Sequence, residues 1–421
     1  MRNTKQSIYP MIFFMILICD MALPQSEYVD EFCSDPDIKT ILLFNNGWEQ
    51  SMPVFNMEGE NKLSLHFDRL TDDIENYSYS IQYCTYNWKI ADLPEHEYLN
   101  GFNDIPIYDS KPSSNTTIYY THYSAKVPSD EITLLKSGNY ILKVYRSGYP
   151  DDVIFIRRFC AMKERVKISA EVKKPDLQGQ ELRVSVDLET LRLNNPLEEV
   201  KIVILKNYNW HDQLKIANKP VLRNSEIFVD MPYQVYTSGG NEYRNFDIKN
   251  TKYVSERIEK IDFRNPYFHI ILKPDKTKQF TPYFSSPDLD GLFAVDANDT
   301  RNKHNESDYV YVHFTLETEY PFDTDVYIYG ALTGWKTGED NYMEFNTDKG
   351  VYEKVLFLKQ GYYNYQYVLK YMNKEELDFE LTEGNHSETE NMYMIFVYAD
   401  LITSDYDELV GYQVVSSVEG E

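Results

Sequence analysis

ELRVSVDL, running from Glu181 to Leu188, places Leu182, Val184, Val186 and Leu188 on one face of an extended chain and Arg183, Ser185 and Asp187 on the other. An apolar residue at every second position marks a half-buried β-strand, because successive side chains of a strand point to opposite faces. The pattern returns in Tyr77 to Tyr83 (YSYSIQY), Tyr309 to Leu316 (YVYVHFTL) and Asp325 to Tyr329 (DVYIY). The chain is rich in Tyr (37) and Phe (22), residues that suit a pleated surface. No long segment carries a helical period. Short strands separated by Gly, Pro, Asn and Asp predict an all-β chain of tandem antiparallel β-sandwiches.

An internal echo supports more than one sandwich. Leu134 to Val144 reads LLKSGNYILKV, and Phe357 to Val368 reads FLKQGYYNYQYV. Each has an apolar pair, a lysine, a small or polar residue and a glycine, followed by alternating tyrosines and aliphatics. The glycine permits a tight turn or bulge, and the alternation after it buries one face. Composition shifts then suggest boundaries: a signal peptide over 1–25, an N-terminal β-sandwich over 29–162 and a middle β domain over 163–293. Residues 294–308 (AVDANDTRNKHNESD) are polar and aperiodic and read as a linker; a C-terminal sandwich over 309–400 and an acidic tail over 401–421 follow.

The N-terminal segment carries Arg2 and Lys5 ahead of the apolar run Met11 to Cys19, the layout of an export signal. A run of about nine residues is too short to cross a bilayer of ~30 Å as a helix. Cys19 is a conceivable lipidation site, but Ile16, Leu17 and Ile18 stand where acceptor sequences prefer a small residue. A net charge of −25 would repel a phosphate backbone, which excludes nucleic acid as a partner and leaves a basic or mixed-charge protein surface open. Beyond the signal stand Cys33, Cys84 and Cys160, too few and too irregular for a disulfide framework; one bridge, with Cys84 and Cys160 as a possible pair, is the most they permit.

No catalytic motif is legible. The nucleophile elbow, the phosphate-binding loops and C-x-x-C are absent. His96-Glu97 opens like a zinc-protease helix, but Asn100 stands where the second histidine belongs. The eight histidines are scattered with no pair at metal-ligand spacing, so His66 and His313, each within a strand pattern, read as hydrogen-bonded structural residues. Asp288, Asp290 and Gly291, followed by Asp296, Asn298 and Asp299, have calcium-like residue types without the calcium-loop spacing and read as a solvated loop. The expectation is a non-enzymatic binding protein without cofactor or metal. The Gly239-Gly240-Asn241 turn is its candidate contact point, as an exposed turn beside polar and aromatic residues.

Two resemblances sharpen this. Val326 to Trp335 (VYIYGALTGW) and Leu358 to Tyr367 (LKQGYYNYQY) resemble the strand, glycine and tryptophan start and the glycine-entered strand of early-set, immunoglobulin-like sandwiches related to glycogen-binding modules. That likeness implies an alternative function, carbohydrate binding by Trp335 with Tyr371 as second aromatic. Over nearly the whole mature chain, the sequence resembles the plug protein family of the type IX secretion system. The segments that carry this are Asn46 to Glu49 (NGWE), Tyr83 to Phe102 (YCTYNWKIADLPEHEYLNGF), Gly239 to Ile248 (GGNEYRNFDI), Tyr309 to Phe314 (YVYVHF) and Gly384 to Asn391 (GNHSETEN). The resemblance implies a periplasmic protein, associated with the outer membrane, that seals the periplasmic mouth of a large outer-membrane β-barrel translocon.

Overall fold

The computed structural model describes residues 28–418, apart from 46–47, 72, 299, 373, 375 and 402–405. The signal-peptide reading, Cys19 included, lies outside the described residues. Strands dominate, and the helices are single turns of four residues or fewer, so the all-β expectation holds.

In the N-terminal sandwich one sheet has the lateral order Phe32–Cys33, Val153–Met162, Gly138–Arg146, Tyr77–Cys84 and Ile105–Pro106, with Val54–Asn56 added parallel to Val153–Met162. The facing sheet runs Ile38–Asn45, Leu63–Arg69, Thr121–Val127 and Asp109–Pro112. The alternation read in the sequence does the packing. Leu63, Leu65 and Phe67 of one sheet meet Tyr77, Tyr79, Ile81 and Tyr83 of the other in a closed core.

The internal echo is a repeated structural device. Gly138 and Gly361 each open a central strand, Gly138–Arg146 and Gly361–Lys370. A Cβ on Gly361 would lie 2.3 Å from the Ala294 carbonyl oxygen, and one on Gly138 would overlap the Tyr83 ring, so only glycine fits. Two residues on, the tyrosine hydroxyl donates back to the lysine carbonyl four residues upstream: Tyr140 to Lys136 at 2.6 Å and Tyr363 to Lys359 at 2.5 Å. Each bond ties the turn to the strand it launches.

Strand pairing crosses the boundaries drawn from sequence. Arg244–Asp247 and Phe293–Val295 both pair with Gly361–Lys370. The hairpin Ile258–Arg264 with Tyr267–Leu272 extends the sheet of Tyr309–Glu317 and Val351–Lys359. Residues 244–293, expected in the middle domain, thus belong to the same core as residues 309–370, with Phe246, Ile258, Ile270, Val312, Ile328 and Tyr365 buried together. Nor is 294–308 a free linker: it begins in a strand, carries the turn Lys303–Glu306, and ends at the buried Ser307 and Asp308.

The expected acidic tail is also corrected, since Asp407–Ser416 is a strand pairing with Met392–Asp400, which in turn pairs with Val200–Lys206. These three strands face the sheet of Lys167–Lys173, Gly179–Asp187, Glu226–Val229 and Val221–Arg223. The third sandwich is therefore an insertion into the second. Alternation reveals a strand but not its partner, and the acidic residues Asp405, Asp407 and Glu408 masked the apolar run that follows them.

Met392–Asp400 (MYMIFVYAD) is apolar at nearly every position because both its faces are covered. Tyr393, Ile395, Val397 and Ala399 enter the middle core. Met394, Phe396 and Tyr398 pack instead with Ile141, Ile156 and Cys160, on the outer face of the N-terminal sandwich. Each such side chain, fully buried, contributes about 1.5–3 kcal/mol, so this shared wall fuses two sandwiches.

Candidate functional site

The Gly239-Gly240-Asn241 segment is where the chain leaves the middle sandwich for the inserted one, and the return passage at 384–391 lies against it. A Cβ on Gly239 would stand 1.9 Å from the His386 carbonyl oxygen. The Gly240 N–H donates to Asn385 Oδ1 at 2.9 Å, His386 N–H donates to the Gly240 carbonyl at 2.7 Å, and Asn241 Nδ2 donates to the Glu383 carbonyl at 2.7 Å. Lys206 Nζ donates to the Ser238 carbonyl at 2.7 Å, and Asn391 Nδ2 to that of Gly239 at 2.8 Å. Burial pushes the Lys206 ammonium down to about 8. Gly239 and Asn241 are buried, so the expected exposed turn is instead an internal clasp. Two segments that carried the family resemblance thus meet in space, although well over a hundred residues separate them in the chain.

Beside this clasp, a buried ionic network holds the two ends of the insertion together. Arg244 Nε donates to both Glu383 oxygens, at 2.9 and 3.0 Å, while Nη1 reaches Asp275 Oδ1 at 3.0 Å and Nη2 the Lys276 carbonyl at 2.8 Å. Asp275 also accepts from Arg257 and from the hydroxyls of Tyr365 at 2.6 Å and Tyr367 at 2.9 Å. Burial pulls the Arg244 guanidinium down, but the two carboxylates outweigh it and hold it above its ordinary value. Close by, Asp288 accepts the N–H groups of Tyr243 and Asp290, both at 2.6 Å, so the first run of the expected solvated loop, at Asp288 and Asp290, is a packed turn. Burial, with the carboxylates around them, raises Asp288 to about 7 and Asp290 to about 8.

The inserted sandwich is also tied to the N-terminal one. Asp308 accepts from Thr117 N–H at 3.0 Å and Thr117 Oγ1 at 3.0 Å, and Tyr120 donates to the Ser307 carbonyl at 2.8 Å. Lys359 Nζ lies 2.5 Å from Asp68 Oδ2, with both side chains 1% exposed. Asp68 also meets Tyr309 OH at 2.7 Å and His122 Nδ1 at 2.7 Å. Burial raises the Asp68 carboxyl, yet Lys359 and His122 outweigh it and hold the group below the usual carboxylate range.

Above this ion pair, three imidazoles stack. His66 Nδ1 is 3.1 Å from His122 Nε2, and the rings of His66 and His304 lie 4.5 Å apart at 12°. A ring nitrogen from each of the three lies within 4.8 Å of the others, the one such group among the described residues. Burial pushes His66 down to about 4 and His304 to about 3, with the neighbouring imidazoles acting in the same direction. The linear sequence gave no signal for this group, because its members come from two strands and a turn of different sandwiches. The hydrogen-bonded reading of His66 holds within it, and His313 likewise pairs with His269 at 2.9 Å.

Trp335 follows the strand Asp325–Tyr329 and the turn Ala331–Thr333, and packs edge-on against Tyr243 and Tyr329 with ring centroids 6.3 and 5.6 Å away. It borders a groove of about 910 Å³ between the N-terminal and inserted sandwiches. Tyr371 is not among the residues lining that groove; it packs against the inserted core beneath Lys374. Cys33, Cys84 and Cys160 are free thiols. Asn139 pairs laterally with both Cys84 and Cys160, which places these two strands apart and beyond disulfide reach.

Next to the clasp in the chain fold stand two strongly exposed aromatic side chains. Phe280 is 91% and Phe284 is 78% exposed, on a segment pinned by Tyr283 OH to Glu242 at 2.5 Å and by Lys278 N–H to the Thr382 carbonyl at 2.8 Å. Bulky apolar groups held in water mark a contact surface more often than buried glycines do.

Residues 38–163 match the family model of the type 9 secretion system plug protein 1st domain. No curated protein matches the chain. Among solved structures, a hypothetical protein from Parabacteroides merdae is similar at 29% identity, covering 93% of this chain and 100% of its own, with a TM-score of 0.88.

Proposed function

We propose, from the premise that this chain carries a type IX secretion plug first domain and resembles the plug family, that it is a non-enzymatic plug which binds and seals the periplasmic end of the outer-membrane translocon barrel. It would be exported by its N-terminal signal and held at the outer membrane through its partner. The observation that carries the reading is the first-domain match at residues 38–163. The physical design supports it. A pore seal has to keep its shape against a fluctuating lumen, and here a wall shared by two sandwiches, a double crossover into the third and buried cross-domain bonds join the sandwiches instead of flexible linkers. A net charge of −25 suits a basic or mixed-charge wall that can be released again.

Pull-down of the tagged mature protein from detergent-solubilised outer membranes is the test. The large barrel should copurify, and a Phe280→Ser, Phe284→Ser double variant should recover less of it. Deleting the protein should leave the outer membrane leaky to small molecules through that barrel. A barrel complex isolated from intact cells without this protein would overturn the proposal.

A further inference from the structure

We propose that His66, His122 and His304 form a binding site for a divalent first-row transition-metal ion of the zinc class, which staples the N-terminal sandwich to the inserted one. His66 and His122 stand on the neighbouring strands Leu63–Arg69 and Thr121–Val127, and His304 on the turn Lys303–Glu306 that leads into the inserted sandwich. Each supplies a ring nitrogen within 4.8 Å of the other two. Three imidazoles with no thiolate match the donor set that zinc and its first-row neighbours accept, with a water completing the tetrahedron.

The surroundings orient the ligands. Asp68 Oδ1 accepts a hydrogen bond from His122 Nδ1–H at 2.7 Å, so the Nε2 lone pair of His122 points at His66, 3.1 Å away. A carboxylate behind a ligating histidine is the usual outer partner of such a metal site. Without metal, that lone pair accepts the Nδ1 proton of His66. Loading the site moves this proton to Nε2 of the same ring by exchange with water, so all three ligands stay neutral and nothing is oxidised or reduced. Ligand nitrogens around a tetrahedral ion with bonds of ~2.0–2.1 Å lie roughly 3.3 Å apart; His66 and His122, at 3.1 Å, already stand near that spacing, and loading turns the His304 ring, which lies nearly parallel to that of His66, to bring its nitrogen onto the ion. His66 and His304 are both partly exposed, which gives the ion its route from solvent. Glu49 lies 3.7 Å from His304 Nε2 and adds negative charge at the mouth, shared with Lys303 at 2.6 Å.

The inference is independent of the plug reading. Full-length protein is stripped with a chelator and titrated with Zn²⁺ by calorimetry, and with Co²⁺ by visible absorption. One ion per chain should bind with submicromolar affinity, Co²⁺ should give the intense bands of a tetrahedral site, and Zn²⁺ should raise the melting temperature. His304→Ala and His66→Gln should each weaken binding at least about tenfold and remove the thermal shift. His269→Ala, at the other histidine pair, should change neither. His304 is on a surface turn, so His304→Ala decides the matter if His66→Gln fails to fold. Binding no tighter than micromolar, or an unaltered Co²⁺ spectrum in a folded His304→Ala protein, overturns the proposal.

Discussion

Arg244→Met keeps most of the side-chain volume and removes the guanidinium that Glu383 and Asp275 share. The two carboxylates do not suffer equally. Asp275 keeps Arg257 and two tyrosine hydroxyls, whereas Glu383, 0% exposed, is left with the Tyr367 N–H at 2.8 Å and Lys278 at 4.0 Å. Removing one member of a buried ion pair costs about 3–5 kcal/mol, because the survivor remains charged and dry. Arg244→Met should therefore destabilise the protein by about that amount. Glu383→Gln added to it should restore roughly 2 kcal/mol of the loss, since the stranded charge is gone. Urea unfolding followed by tryptophan fluorescence measures both, with Trp335 reporting from the inserted sandwich. If Arg244→Met unfolds within about 1 kcal/mol of wild type, or the two substitutions simply add, the reasoning is refuted.

Three further outcomes follow from the same geometry. Gly239→Ala, with its Cβ forced onto a backbone carbonyl, should cost about 3 kcal/mol or more. Gly240→Ala, at φ 76 with nothing nearer than 3.9 Å, should cost only about 1–2 kcal/mol of left-handed strain, and paired melting curves would rank them. Tyr140→Phe and Tyr363→Phe each strip the hydroxyl from a buried carbonyl and should each lose about 1–2 kcal/mol by urea titration. Asp290 holds its proton to about pH 8 when folded and releases it near pH 4 when unfolded. The folded state therefore binds the extra proton, and this group's stabilisation falls as pH rises from about 4 to 8. Asp290→Asn should be more stable than wild type at pH 8, by up to about 5 kcal/mol, and near neutral in effect at pH 4. An equal effect at both pH values would remove the titration argument.

The candidate contacts were the least legible part. Gly239, Gly240 and Asn241 read as an exposed turn because glycine pairs mark turns, but a turn is buried when another strand end passes over it. The 384–391 return, which does so here, comes from far along the chain. The three stacked histidines were invisible for the same reason: side chains that converge across two sandwiches leave no spacing to read.

What the chain determined by itself is everything that depends on neighbours a few residues away. Period-two alternation around Leu182 to Leu188, glycines at 138 and 361, and the tyrosine two residues after each are local, and each formed the strand or strand entry its pattern implied. Which strands lie side by side was decided only in three dimensions. An alternating strand presents the same apolar face to any partner, and the choice is made by the total burial of the assembled sheets. That is why Arg244–Asp247 and Phe293–Val295 joined the third sandwich, and why Asp407–Ser416 became part of a wall shared by two sandwiches, with Leu409 and Val410 packed into different cores.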